Sequence, residues 1–202
     1  MMGVSNLLVR NNHLHNIFSQ QSSEDKVLVT NGRGLSNILI ENNQFATLDT
    51  GVAINAQGLG SSTFSLERQE TVSGIQLANN VFNHVVNAIN LHTTISDSSS
   101  SDKVMTGLFS DMDIYGNIFD QVNSALALDT GSSLYPSESV CVFNNTIINT
   151  LSSSLVLTGA RDIEIFNNIF LMPQSSILET NTATADDSEA LLAAGVLIMS
   201  GP

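Results

Sequence analysis

Short runs of alternating apolar and polar residues recur along this chain, each closed by asparagine. Six segments share the pattern apolar-x-apolar-x-(Asn/Gly)-Asn-x-apolar, at residues 7–14, 38–45, 75–82, 112–119, 140–147 and 163–170. Period-two alternation is the mark of a strand with one buried face. The asparagines that follow suit a turn, because Asn tolerates the left-handed backbone region and its amide bonds nearby main-chain groups. The second Asn falls at 12, 43, 80, 117, 145 and 168, giving intervals of 31, 37, 37, 28 and 23. A fixed motif at a varying interval means a constant unit joined by loops of different length.

A second strand follows at near-constant distance, at residues 52–54, 89–91, 126–128 and 155–157. A looser third lies before some motifs, at 27–29, 64–66 and 104–106. No helical spacing separates them, which predicts an all-β chain: a right-handed parallel β-helix solenoid of about six coils over residues 1–180. Asn12, Asn43, Asn80, Asn117, Asn145 and Asn168 should form one column. Ile38, Ile40, Ile75, Leu77, Ile114, Val142, Ile163 and Ile165 should face the core. The tail, 181–202, reads either as a cap helix, from its acidic start at Asp186 and Asp187, or as a further strand over 195–199.

Over roughly residues 4–179 the chain resembles the parallel β-helix repeat proteins of the pectin lyase-like superfamily, through its repeated Asn-Asn-x-Phe turn. The resemblance implies a fold, and an extracellular or cell-surface protein that binds or modifies carbohydrate, as polysaccharide lyases, hydrolases or epimerases do. The same fold also serves non-catalytic adhesins and spacers, so it does not settle the activity. The first motif begins at Leu7 with no polar capping element before it, so the chain reads as part of a longer parent with a flanking domain or further coils.

Composition narrows the partners. Net charge is −13 with six Lys and Arg, a field that repels nucleic acid, and repels acidic polysaccharide unless Ca²⁺ bridges the charges. Cys141 is the single cysteine, which excludes an internal disulfide framework. The first residues carry neither the basic nor the long apolar region of a secretion signal. The longest apolar stretch, near 190–199, falls short of the roughly 20 residues a membrane-spanning helix needs.

Stacking would convert repeat positions into rows about 4.8 Å apart. One row, twelve residues beyond the second Asn, holds Glu24, Asn55, His92 and Asp129. His92 beside Asp129 suits acid–base catalysis, the carboxylate orienting the imidazole. Asn55 flanks the pair as a ligand-binding residue, and Asn55 with Asp129 could instead ligate Ca²⁺. The plainer account is that polar residues often end strands. Long loops at 57–71 and 93–103 leave the same strand end. A second row runs Arg10, Glu41, Ala78, Tyr115, Phe143, Phe166, and its aromatic end could stack on sugar rings or pack under a loop. A third, Leu8, Leu39, Gln76, Asp113, Cys141, Glu164, places two carboxylates two repeats apart. No zinc spacing, phosphate loop or nucleophile elbow is present.

Overall fold

The structure, a computed structural model, describes residues 5–15, 25–32, 36–58, 72–93, 109–129, 138–158, 162–181, 191–194 and 197–199. Every regular element among them is a strand. They are β1 (Ser5–Arg10), β2 (His13–His15), β3 (Asp25–Gly32), β4 (Ser36–Glu41), β5 (Gln44–Gly58) and β6 (Val72–Ala78). Then come β7 (Val81–Thr93), β8 (Phe109–Tyr115), β9 (Ile118–Asp120), β10 (Ser124–Asp129), β11 (Glu138–Phe143) and β12 (Thr146–Ile148). The series ends with β13 (Leu155–Thr158), β14 (Ile163–Phe166), β15 (Ile169–Leu171), β16 (Leu178–Asn181), β17 (Leu191–Ala194) and β18 (Leu197–Met199).

These strands form two parallel sheets. The first has seven strands, in the order β1-β4-β6-β8-β11-β14-β17. The second has eleven, and the long β5 and β7 join its two strips, one toward β9-β12-β15-β18 and one toward β10-β13-β16. Neighbours in each sheet come from successive repeats, so matching positions of the motif are register partners. Ile38 pairs with Ile75, Ile75 with Met112, Met112 with Val140, and Val140 with Ile163. In the tail, Leu191–Ala194 and Leu197–Met199 are strands paired with β14 and β15.

Burial follows the alternation. All eight residues expected inside are buried, from Ile38 to Ile165. Phe45, Phe82 and Phe119 stack through the core with centroids 5.0 and 4.9 Å apart and planes 4° from parallel. One expected strand is assigned differently. Residues 27–29 lie in β3, whose Leu28 pairs with Ile54 of β5, so they belong to the second-strand position and not to a separate third one. Residues 64–66 and 104–106 lie outside the described residues.

The turn explains why the Asn pair recurs. Its first member has positive φ at Asn11, Asn42, Asn79, Asn144 and Asn167, and Gly116 takes that place in the fourth motif. Its second member points inward and builds a ladder. Each interior Asn accepts at Oδ1 from the main-chain N and the Nδ2 of the preceding column member. Asn117 Oδ1, for example, accepts from Asn80 N at 2.9 Å and Asn80 Nδ2 at 3.1 Å. Its own Nδ2 donates to Asn145 Oδ1 at 3.0 Å and to the Leu77 carbonyl at 2.8 Å. Both amide protons and both oxygen lone pairs are thereby used, so the buried amide carries no unpaired polar group. Two further positive-φ columns cross the fold: Asn6, Asn37, Gly74, Asp111 and Ser139 near the start of the first-sheet strands with Asp162 just before β14, and His84, Gln121, Asn149 and Met172 after β9, β12 and β15 or at the matching place in β7.

Candidate functional site

His92 and Asp129 are register partners on β7 and β10. Two strands of different repeats therefore carry these two residues side by side along the main chain, as the constant offset from the Asn column predicts. Asn55 is not in that column. The β5–β7 pairing shifts between Leu48 and Val52, so Leu48 faces Val85 but Val52 faces Asn87. Two extra residues in β5 move Asn55 opposite Asn90, and Gln57 takes the place beside His92. Counting from the Asn turn cannot detect such an irregularity, because it lies between the turn and the second strand. The corrected register column runs Asn31, Gln57, His92, Asp129, Thr158, Asn181. It is polar at every one of its six positions, whereas the position before it holds Thr30, Ala56, Leu91, Leu128, Leu157 and Thr180. The loops at 59–71 and 94–103 lie outside the described residues.

The aromatic row is a continuous stack. Tyr115 and Phe143 have centroids 5.0 Å apart and planes 8° from parallel, and Phe143 and Phe166 repeat this at 5.0 Å and 3°. All three side chains are half-buried. Rings so arranged turn their faces toward one another, which leaves edges and the tyrosine hydroxyl for an incoming molecule. At its other end the same row carries the Arg10–Glu41 ion pair at 3.2 Å.

Cys141 sits between Asp113 and Glu164 in the outward row of the first sheet. Burial pushes its thiol up from the usual range, and the carboxylates of Glu164 and Asp113 push it further the same way. A thiol held protonated is a poor nucleophile and a poor soft-metal ligand near neutrality.

A polar network that the sequence reading passed over stands on the outer face of the β7–β9–β12 strip. Asp120 accepts from two amides at once, Asn83 Nδ2 at 3.1 Å on Oδ2 and Asn149 Nδ2 at 3.2 Å on Oδ1. His84 Nδ1 lies 2.6 Å from Asn83 Oδ1. Since the Asn83 amide donates to Asp120, its oxygen accepts from His84, which makes Nδ1 a protonated nitrogen. His84 is exposed and the other three are half-buried, so the network meets solvent. Around it are Ile118, Ile169 and Met172, all exposed, with exposed Leu151 on the adjoining turn. Four of the five exposed large hydrophobic residues among those described lie on this side; only Leu8 lies elsewhere. The available signal was the row three and four residues after the second Asn, which places Asn83 and His84 beside Asp120 and Gln121.

Among the described residues no group of three or more His, Cys, Asp and Glu side chains could hold a metal ion. No helix among them is long and apolar enough to cross a membrane. No family model, no curated protein and no solved structure matches the chain.

Proposed function

We propose that this chain forms a right-handed parallel β-helix of the pectin lyase-like kind, and that it binds carbohydrate at the cell surface or outside the cell. The architectural half rests on two parallel sheets whose neighbouring strands come from successive repeats, with the chain passing between the sheets at each Asn turn. The functional half rests on one observation: the face that carries His84, Asn83, Asp120 and Asn149 also carries Ile118, Ile169 and Met172.

A sugar is itself amphipathic, with an apolar ring face and a rim of hydroxyls. A fixed carboxylate, amide and imidazole can bond that rim through lone pairs not spent inside the network. The apolar neighbours cover the ring face, and specificity comes from the polar groups. With a net charge of −13, a neutral or basic glycan suits the surface better than an acidic one. In the modifying form of this reading, His92 acts as acid or base and Asp129 orients it.

A second reading, a non-catalytic adhesin or spacer segment, draws support from the Tyr115–Phe143–Phe166 stack, whose ring faces are spent on each other. One experiment separates the two: a glycan array and a polysaccharide-degradation assay on the protein, each with and without Ca²⁺. Saturable glycan binding that His84→Ala and Asp120→Ala weaken supports the first reading. Turnover lost in His92→Ala or Asp129→Ala supports its catalytic form. A protein that ignores every glycan is the structural segment of the second.

A further inference from the structure

The sequence offers His13-Leu14-His15 on a three-residue strand. Alternation puts both imidazoles on one face while Leu14 packs against the core. Both histidines are exposed, and their ring centroids lie 4.7 Å apart with planes 40° from each other. β2 is pinned in register to β5, His13 beside Gln44 and His15 beside Ala46, so the spacing is set by hydrogen-bonded main chain. Arg10, on the strand before the turn, is engaged with Glu41 at 3.2 Å.

We propose that His13 and His15 form a two-imidazole site for a late first-row divalent cation, with Cu²⁺ favoured over Zn²⁺. The metal–nitrogen bond is about 2.0–2.1 Å, which puts a metal roughly 3.2 Å from each ring centroid. Two rings on one metal then have centroids about 4.5 Å apart for a right-angled pair and about 5.2 Å for a tetrahedral one. The observed 4.7 Å falls between these values, so the two rings are close enough to share one metal. Cu²⁺ is favoured because a given nitrogen donor set binds it more tightly than Zn²⁺ in the general order of first-row divalent ions. Water fills the remaining positions, and the chain's net charge of −13 raises the local cation concentration.

This site is independent of the carbohydrate reading. The test uses the untagged full chain and CuCl₂ alone, followed by calorimetry and by electron paramagnetic resonance. One Cu²⁺ should bind per chain with a signal split by two equivalent imidazole nitrogens. His13→Ala and His15→Ala should each weaken binding by about tenfold or more and reduce the splitting to a single nitrogen. His84→Ala should change neither. Zn²⁺ should compete weakly. Equal Cu²⁺ affinity in His13→Ala, His15→Ala and the parent would overturn the proposal, as would a parent signal with only one coupled nitrogen. Both histidines are exposed, so the variants should keep the strand signal in far-ultraviolet circular dichroism, and that measurement accompanies each titration.

Discussion

Asn117 donates to Asn145 across 28 residues of chain, Nδ2 to Oδ1 at 3.0 Å, while its backbone N–H reaches the same oxygen at 3.0 Å. The Asn145 oxygen thus takes both donors of one residue, and the pattern repeats along the column. Removing one amide strands several buried partners together. Asn117→Ala leaves Asn80 N without its acceptor, leaves Asn80 Nδ2 with the Ile40 carbonyl alone, and leaves the Leu77 carbonyl without its side-chain donor. Each orphaned group costs about 1–3 kcal/mol, so the sum should be on the order of 3–5 kcal/mol. Asn12→Ala at the exposed end of the column should cost under about 1 kcal/mol. Urea midpoints of the two variants check the contrast.

Two aromatic stacks offer a second contrast at nearly equal geometry. Phe82 is fully buried between Phe45 and Phe119, whereas Phe143 is half-buried between Tyr115 and Phe166. Phe82→Ala opens a cavity as well as losing transfer energy and should cost about 3–5 kcal/mol. Phe143→Ala loses mainly ring contacts, which solvent can replace, and should cost about 1–2 kcal/mol. Similar losses for both would mean that the outer stack is sealed by something on that face.

The Cys141 thiol should alkylate slowly. Burial first, then Glu164 and Asp113, raise its pKa, so the reactive thiolate is scarce at neutral pH. Removing either negative charge lowers that pKa and enriches the thiolate. Asp113→Asn and Glu164→Gln should therefore react faster with iodoacetamide at fixed pH, and their rate profiles should shift to lower pH. The gain should be partial, because burial remains the larger cause. An unchanged profile in the double variant would remove the carboxylates from the account.

How far the sequence could be read follows from what each residue depends on. Ile38, Leu77 and Asn117 were legible because the motif is local and a buried position tolerates few residue types. The two other positive-φ columns were not, because Asn, Gly, Asp and Ser fill one while His, Gln, Asn and Met fill the other. The backbone dictates the turn there, so residue type gives little sign of it. Asn55 was misplaced for a different reason. The count from Asn43 is correct, but the pairing slips between Leu48 and Val52, and only the partner strand reveals that. The Asp120 network shows in the sequence only as a row three and four residues after the second Asn, and residue type alone does not mark the hydrogen bonds that join β7, β9 and the turn after β12.

That network supplies the last prediction, because its chemistry depends on the direction of its hydrogen bonds. Asp120 accepts on both oxygens, from Asn83 and from Asn149. Asp120→Asn keeps the shape but can accept on one oxygen only, so its new NH₂ group faces a donor. The remaining amides can turn over, yet turning Asn83 puts its NH₂ against His84 and forces that ring to change tautomer. Stability should fall by only about 1 kcal/mol, since solvent reaches all four side chains. Glycan affinity should fall much further, by about tenfold or more, because bound hydroxyls would meet reversed donors and acceptors. His84→Gln restores an acceptor and a donor without a tautomer to choose. Combined with Asp120→Asn it should recover part of the loss, measured by titration with the best ligand from the array. A loss that His84→Gln leaves untouched would place the contact on the carboxylate alone, and unchanged affinity in Asp120→Asn would move the binding face elsewhere.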